Sequence, residues 1–271
     1  MKKTIISCVL FLTAVTAFSQ TPMKTAAEAK LSASDLAVKI ADRILATTTY
    51  EFKNTKTGKT YKSVKNLPLD MNVKVACKYN NWHYTNGVTH IALMELADKT
   101  GAKKYDDYVL KNMNFVFNEG NLDFFKKQYE QAMKNEGWYG VRKLSWHMIF
   151  RGKRLDDNGP MGASLIDLQM KHPNNSFLNY INETAEHLNY GEPRLADGTI
   201  ARIWPHENTI WADDAFMAIS FLARMAKMTG DMSYINDAAN QVIKYHKYLW
   251  CPEKRILYHC YHTDTDEHGV A

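Results

Sequence analysis

Asp157 and Asp213 are the residues of this chain best placed, by type and spacing, to do chemistry. Each stands just ahead of an apolar helical stretch, in Asp157-Asn158-Gly159-Pro160-Met161 and Asp213-Asp214-Ala215-Phe216-Met217. Setting Leu155-Asp156-Asp157 against Trp211-Ala212-Asp213 also sets Met161 against Met217 and Ser164 against Ser220. The two acids therefore fall at one position of a repeat. If neighbouring helices pack with axes about 8–10 Å apart, equivalent carboxyls on them can face each other across a water- or sugar-sized gap. Such a pair suits acid–base work on a glycosidic bond, with burial and mutual repulsion keeping one acid protonated and the other ionised. The plain alternative is N-capping, in which an Asp oxygen accepts from free backbone N–H groups. Capping accounts for one acid per helix. It does not account for the doublets Asp156-Asp157 and Asp213-Asp214, nor for the bulky Trp211 beside the second.

Other side chains can join this site from loops. Trp211 offers a flat ring on which a sugar can stack. His83, His147, His206, His259 and His262 all lie in or near loops; a lone His is more often structural. His206, after Trp204-Pro205, and His259, within Leu257-Tyr258-His259, are the better candidates for gripping an anionic group, a task Arg151, Arg154 and Arg202 also suit. The candidate substrate-binding set is Trp211, His259, His206, Asp156 and Arg202. No CxxC or HExxH spacing occurs in the sequence, so a zinc site has no support.

The elements that must position these groups are helical hairpins. Trp82 and Trp211 stand at the same spacing as Leu93 and Leu222, Ala97 and Ala226, Thr100-Gly101 and Thr229-Gly230, and Tyr105 and Tyr234. Repetition at this scale signals stacked supersecondary units. Val88, Ile91, Leu93, Met94 and Leu96 make one apolar helical face, closed at Gly101 by a left-handed cap. A returning helix is expected over 105–117. The later copies predict helices over 159–170, 177–188, 215–228 and 234–248, after an earlier one beginning near Ser34-Asp35. The polar stretch 51–66 reads as a solvated loop, and 256–261 as a short strand or extended loop. An all-α architecture follows, either an open superhelix or a closed toroid. The long aromatic-rich loops 138–154 and 196–210 favour the toroid, where loops can gather around a pocket at one end.

Composition narrows the function classes. A formal charge of +5, spread along the chain and lower once Lys2 and Lys3 are removed, does not argue for nucleic acid. Residues 1–19 read as a secretory signal peptide: a basic start, an apolar run from Thr4 to about Val15, and Ala17-Phe18-Ser19 as cleavage site. The run is too short for a membrane span. An exported chain, periplasmic or secreted, with a single domain over 20–271 is expected. Cys77, Cys251 and Cys260 are then an odd number, against a full disulfide framework, although Cys251 and Cys260 can pair across a turn. Aromatic residues make up 12% of the chain, with six Trp; most fill a core, and the rest suit sugar faces.

Leu155-Asp156-Asp157-Asn158-Gly159, then Trp211-Ala212-Asp213-Asp214-Ala215-Phe216-Met217, then Leu257-Tyr258-His259 resemble the unsaturated rhamnogalacturonyl hydrolases of glycoside hydrolase family 105. The unsaturated glucuronyl hydrolases of family 88 are a more distant likeness. The resemblance runs from about Trp82 to His259, and Trp-x-Asp-x-x-[Phe/Tyr]-Met is its most specific part. It implies an (α/α)6 toroid. Six units of this size need more residues than the chain has, so a ring truncated at its C-terminus is expected. The family's Trp-Gly-Arg-x-x-Gly-Trp element is not found before Ala271, and Ile200-Ala201-Arg202 stands near where Trp-His-Lys is usual. The resemblance implies a substrate ending in a 4,5-unsaturated uronic acid, left on pectin (rhamnogalacturonan) fragments by lyases. Asp213 would protonate C4 of the vinyl ether and help deliver water to C5. Asp157 would orient that water or sugar hydroxyls, and Trp211 would stack on the ring. It calls for no metal or organic cofactor. Two rivals are an inverting glycosidase or sugar epimerase on the same toroid, and an exported helical-repeat protein that binds glycans without turnover.

Overall fold

The computed structural model describes residues 32–152 and 154–270; the expected signal peptide lies outside them. The chain divides at Ile40 into two units. Of the first, the described part is Ser32 and the start of helix α1 (Ala33–Thr47), where Ser32 and Asp35 exchange backbone and side-chain hydrogen bonds. That exchange is a capping box.

The second unit is built of helical hairpins. α2 (Tyr84–Thr100) returns as α3 (Lys104–Val116), α6 (Leu155–Lys171) as α7 (Asn175–Glu186), and α8 (Ala212–Thr229) as α9 (Met232–Leu249). The repeat read in the sequence is visible in how the helices end. Gly101 and Gly230 both sit in the left-handed region (φ 71° and 75°), and their N–H groups donate to the carbonyls of Ala97 and Ala226. Glycine is the residue that takes this conformation without a Cβ clash. α6 lies between α2 and α8 and is buried on nearly every side from Leu155 to Leu168. Glycines bring the three helices close. A Cβ on Gly87 would lie 2.3 Å from the Pro160 carbonyl carbon, and one on Gly159 would lie 2.8 Å from the Met217 Cβ.

The remaining helices cover this row. α4 (Glu119–Val141) is kinked at Gly137 (φ 60°), and α5 (Met148–Arg151) is a single turn. The stretch 138–154 is thus partly helical rather than one irregular loop. Eight short strands of two or three residues each also form among the described residues, where few strand signals are legible. β1 (Phe52–Asn54) and β2 (Thr60–Tyr61) pair within the stretch read as a loop, with β3 (Val73–Val75) on the other side of β1. Phe52 is the reason: its ring is buried among Phe115, Phe124 and Phe125. β4 (Thr209–Trp211) pairs with β7 (Cys260–His262), which pairs with β8 (Glu267–His268); β5 (Trp250–Cys251) pairs with β6 (Ile256–Leu257). Cys77, Cys251 and Cys260 are all free thiols, so the Cys251–Cys260 pairing does not form. The two thiols point to different partners, Cys251 to Glu253 (3.4 Å) and Cys260 to His262 (3.8 Å). No helix among the described residues is long and apolar enough to cross a membrane.

His90 of α2 is buried, with Nε2 3.2 Å from the Asn112 amide and Nδ1 without a partner. Burial pushes its pKa down to about 4. In the unfolded chain it titrates near 6.5, so between pH 6.5 and 4 only the unfolded state takes up the proton, and stability falls as pH falls. The pKa difference corresponds to roughly 3 kcal/mol. His90→Gln is expected to remove that part of the acid loss, measured as urea unfolding free energy at pH 7 and pH 4. An unchanged difference between the two pH values would show that His90 does not drive it.

Candidate active site

The two aspartate doublets open α6 and α8. Counted from the helix starts, Asp156 and Asp213 are both second residues, and Asp157 and Asp214 both third. This differs from the sequence register, which pairs Asp157 with Asp213. Neither doublet caps its helix. The N-cap residues are Arg154 and Trp211, both extended and without a side-chain capping bond, so the capping alternative fails on geometry. The acids lie in the first turn, where the helix dipole favours negative charge.

The third-position acids are interior and each is gripped by an arginine. Asp157 is fully buried, and Arg151 at the end of α5 donates to both its oxygens through Nε and Nη2. Asp214 is 2% exposed, and Arg202 donates through Nε (2.6 Å) and Nη2 (2.7 Å). Burial raises both carboxyls, Asp214 to about 7, against the pull of their arginines. The second-position acids are open. The Asp156 side chain is 25% exposed and that of Asp213 42%. Both face Arg202 Nη2, Asp213 Oδ2 at 3.3 Å and Asp156 Oδ1 at 3.7 Å. Asp213 Oδ1 is enclosed and accepts no hydrogen bond. Two open carboxylates thus share one guanidinium, and one keeps a free oxygen.

Short strands assemble the rest. Arg202 exchanges backbone hydrogen bonds with Thr209, which begins β4, so its side chain returns over the start of α8. Its guanidinium lies 4.7 Å above the Trp211 ring, and the Trp211 N–H donates to the Thr209 hydroxyl (3.0 Å). Pairing of β4 with β7 sets Trp211 opposite Cys260, the Ala212 N–H donates to the His259 carbonyl (2.9 Å), and the His259 ring meets Trp211 edge-on at 5.0 Å. Asp213, Asp156, Arg202, Trp211 and His259 therefore come together.

Two candidates do not join them. Asp157 is buried, with both oxygens accepting from Arg151, and does not open onto the site beside Asp213. His206 is exposed, and its ring packs 5.6 Å from His262. Of the other histidines, His83 caps α2, its Nδ1 accepting from the Thr85 N–H; burial lowers its pKa, against the nearby Asp156. Trp82, the repeat partner of Trp211, is buried, and its N–H donates to the Asp157 carbonyl (2.5 Å). One member of the repeat holds the core together while the other lines the site.

Beside the acids lie two pockets that share Arg154, Asp156 and Trp204. The narrower (≈ 160 Å³) reaches Asp214, Arg202 and His187; the wider (≈ 540 Å³) opens over Trp138, Arg142 and Arg151. Sequence reasoning missed Trp138, Arg142 and Trp204, which carry no motif and meet only through the fold.

The sequence profile of Glycosyl Hydrolase Family 88 matches residues 56–271. A search of curated proteins finds no match. Among solved structures, the chain is similar to a possible member of the GH105 family from Klebsiella pneumoniae subsp. pneumoniae MGH 78578 (TM-score 0.55, 12% identity, 88% of this chain and 54% of that one). It is equally similar to a possible GH105 member from Salmonella enterica subsp. enterica serovar Paratyphi A (TM-score 0.55, 14% identity, 88% and 54%). A family 105 glycoside hydrolase from C. acetobutylicum ATCC 824 matches as well (TM-score 0.55, 20% identity, 89% and 54%). The chain spans about half the length of these proteins. At such identities the likeness shows the fold, hairpins of the (α/α)6 toroid class.

Proposed function

Because the chain belongs to glycosyl hydrolase family 88, we propose that it removes a terminal 4,5-unsaturated uronic acid from an oligosaccharide by hydrating the vinyl ether. The observation that carries this reading is the open pair Asp213 and Asp156 on one guanidinium, with Asp213 Oδ1 free of any donor.

In this mechanism Asp213 acts as the general acid and gives a proton to C4. The C4=C5 electrons form the new C–H bond and leave oxocarbenium character at C5, shared with the ring oxygen. Asp156 holds the water that adds to C5, and the proton which that water loses passes to the Asp213 carboxylate and restores its carboxylic acid. The resulting hemiketal opens to a C5 ketone, freeing the ring oxygen as the hydroxyl on C1. That hemiacetal collapses to an aldehyde and expels the neighbouring sugar with its glycosidic oxygen. Arg202 keeps the two acids in place. Trp211 carries the ring, with His259 against its edge. Asp157 acts through Arg151 as a positioning residue.

The Trp211-to-Met217 motif supports a rhamnogalacturonan-derived substrate, and the leader-like segment 1–19 supports export to the periplasm or beyond. Ultraviolet absorbance of the conjugated double bond should fall with time on unsaturated galacturonyl-rhamnose, and the saturated disaccharide should stay intact. Equal release of sugar from the saturated compound would replace this reading with ordinary glycoside hydrolysis.

A further inference from the structure

The wider pocket is more cationic than the proposed reaction needs. Arg142, Arg151 and Arg154 all line it, and Asp156 is the one acid among its lining residues. Arg151 is committed to Asp157 behind it. Arg142 and Arg154 make no hydrogen bond or ion pair with any described side chain. Arg154 is half-buried, its guanidinium over the Trp204 ring at 4.5 Å; burial and the neighbouring Arg151 work against its charge, and Asp157 and Asp156 support it only from a distance, without an ion pair. His147 adds no compensation. Its Nδ1 faces the Leu144 carbonyl (3.0 Å), and burial and the nearby arginines lower its pKa. A partly desolvated guanidinium with no carboxylate in hydrogen-bond contact is unfavourable, and an arriving anion relieves it.

The pocket also has the surfaces a sugar uses. Trp138 and Trp204 stand partly exposed at its mouth, Trp138 carrying the Arg151 guanidinium at 5.0 Å. Asp156, one of the reacting pair, also lines this pocket, so an oligosaccharide whose unsaturated end lies at Asp213 and Trp211 can extend into it.

We propose that this pocket binds the leaving-group side of the oligosaccharide and selects a sugar unit that bears an anion, a carboxylate or a sulfate ester. The proposal rests on the reading of Asp213 and Asp156 as the reacting pair. In a chain where acidic and neutral sugars alternate, the unit held here is the third, the next uronate after the cleaved end. Arg142 and Arg154 supply the bidentate guanidinium contacts, and the tryptophans the stacking faces.

Binding tests this separately from turnover. Calorimetric titration of the full chain would use a saturated rhamnogalacturonan tetrasaccharide, its counterpart made neutral at the third sugar alone by carboxyl reduction, and that counterpart sulfated on the same third sugar. The acidic tetrasaccharide should bind about tenfold or more tighter than the neutral one, the scale of one charge-assisted contact. That advantage should shrink with added salt and vanish in Arg142→Ala and Arg154→Gln. Equal advantage for the sulfated ligand would make the site a general anion subsite and uphold the proposal; none would confine it to carboxylates. Equal affinity for acidic and neutral tetrasaccharides, or an advantage that survives both substitutions, would overturn it. Loss of absorbance from an unsaturated disaccharide reports on the reacting pair alone. Inactivity there with selective binding would fault the reaction and not the pocket.

Discussion

Asp213→Asn is expected to lower turnover of an unsaturated uronyl substrate by about a hundredfold or more, the scale for losing a positioned general acid. The amide keeps the shape of the carboxyl but has no acidic proton to give C4. Stability should change little, because the side chain is 42% exposed and its one side-chain hydrogen bond among the described residues is from Arg202 Nη2 at 3.3 Å, a group that has Asp214 as a better partner. Asp156→Asn should also lower turnover with little effect on the fold. Asp157→Asn should act differently. It leaves Arg151 facing a neutral partner in the interior, so its thermal midpoint should drop along with its activity. Initial rates and melting curves for the three variants separate these roles. If Asp213→Asn keeps near wild-type turnover, Asp213 is not the acid.

Arg202→Met is expected to have the largest combined effect. It removes the guanidinium from Asp213 and Asp156 and leaves the buried Asp214 without its partner, a loss of about 3–5 kcal/mol for breaking a buried pair on one side. Burial already raises Asp214 to about 7 with Arg202 present. Without Arg202 it rises further, and the folded state must hold the proton to avoid an unpaired charge. A folded pKa above the unfolded value favours the fold at low pH, so stability of this variant should fall as pH rises through neutrality. Adding Asp214→Asn should recover most of the stability and flatten that slope, while turnover stays low. Thermal midpoints of the single and double variants between pH 5 and 8 test it. A single variant as stable as the wild type at pH 8 would show that Asp214 does not depend on Arg202.

Much of the helical frame is legible in the sequence because repetition marks it. The Thr-Gly pairs at 100–101 and 229–230 predict left-handed helix ends, and Gly101 and Gly230 form the same cap bond in space. The register of the acids is less legible, for a physical reason. Aligning Met161 with Met217 is right inside the helices, where Ser164 and Ser220 bond back to the carbonyls of those methionines. But Met161 is the seventh residue of α6 and Met217 the sixth of α8. The side chains sort by burial instead: Asp157 and Asp214 are buried on Arg151 and Arg202, whereas the more exposed Asp156 and Asp213 both face Arg202 Nη2. The arginines are the other hidden part. Arg151 and Arg202 reach their acids from a one-turn helix and an irregular segment, where no periodicity marks the approach. Strands of two or three residues such as β1 and β2 are too short to show a two-residue alternation. The pairing of β4 with β7 that brings His259 to Trp211 joins distant segments, which no local pattern reveals.

The central claim is that the proton goes to C4 rather than to the glycosidic oxygen. The most direct test runs the reaction on an unsaturated galacturonyl disaccharide in heavy water and follows the early product by NMR. The account predicts one deuterium at C4 in the first product released, with the C4 vinyl signal disappearing at the rate the sugar appears. Release of an intact unsaturated uronic acid, its double bond retained and no deuterium at C4, would contradict it.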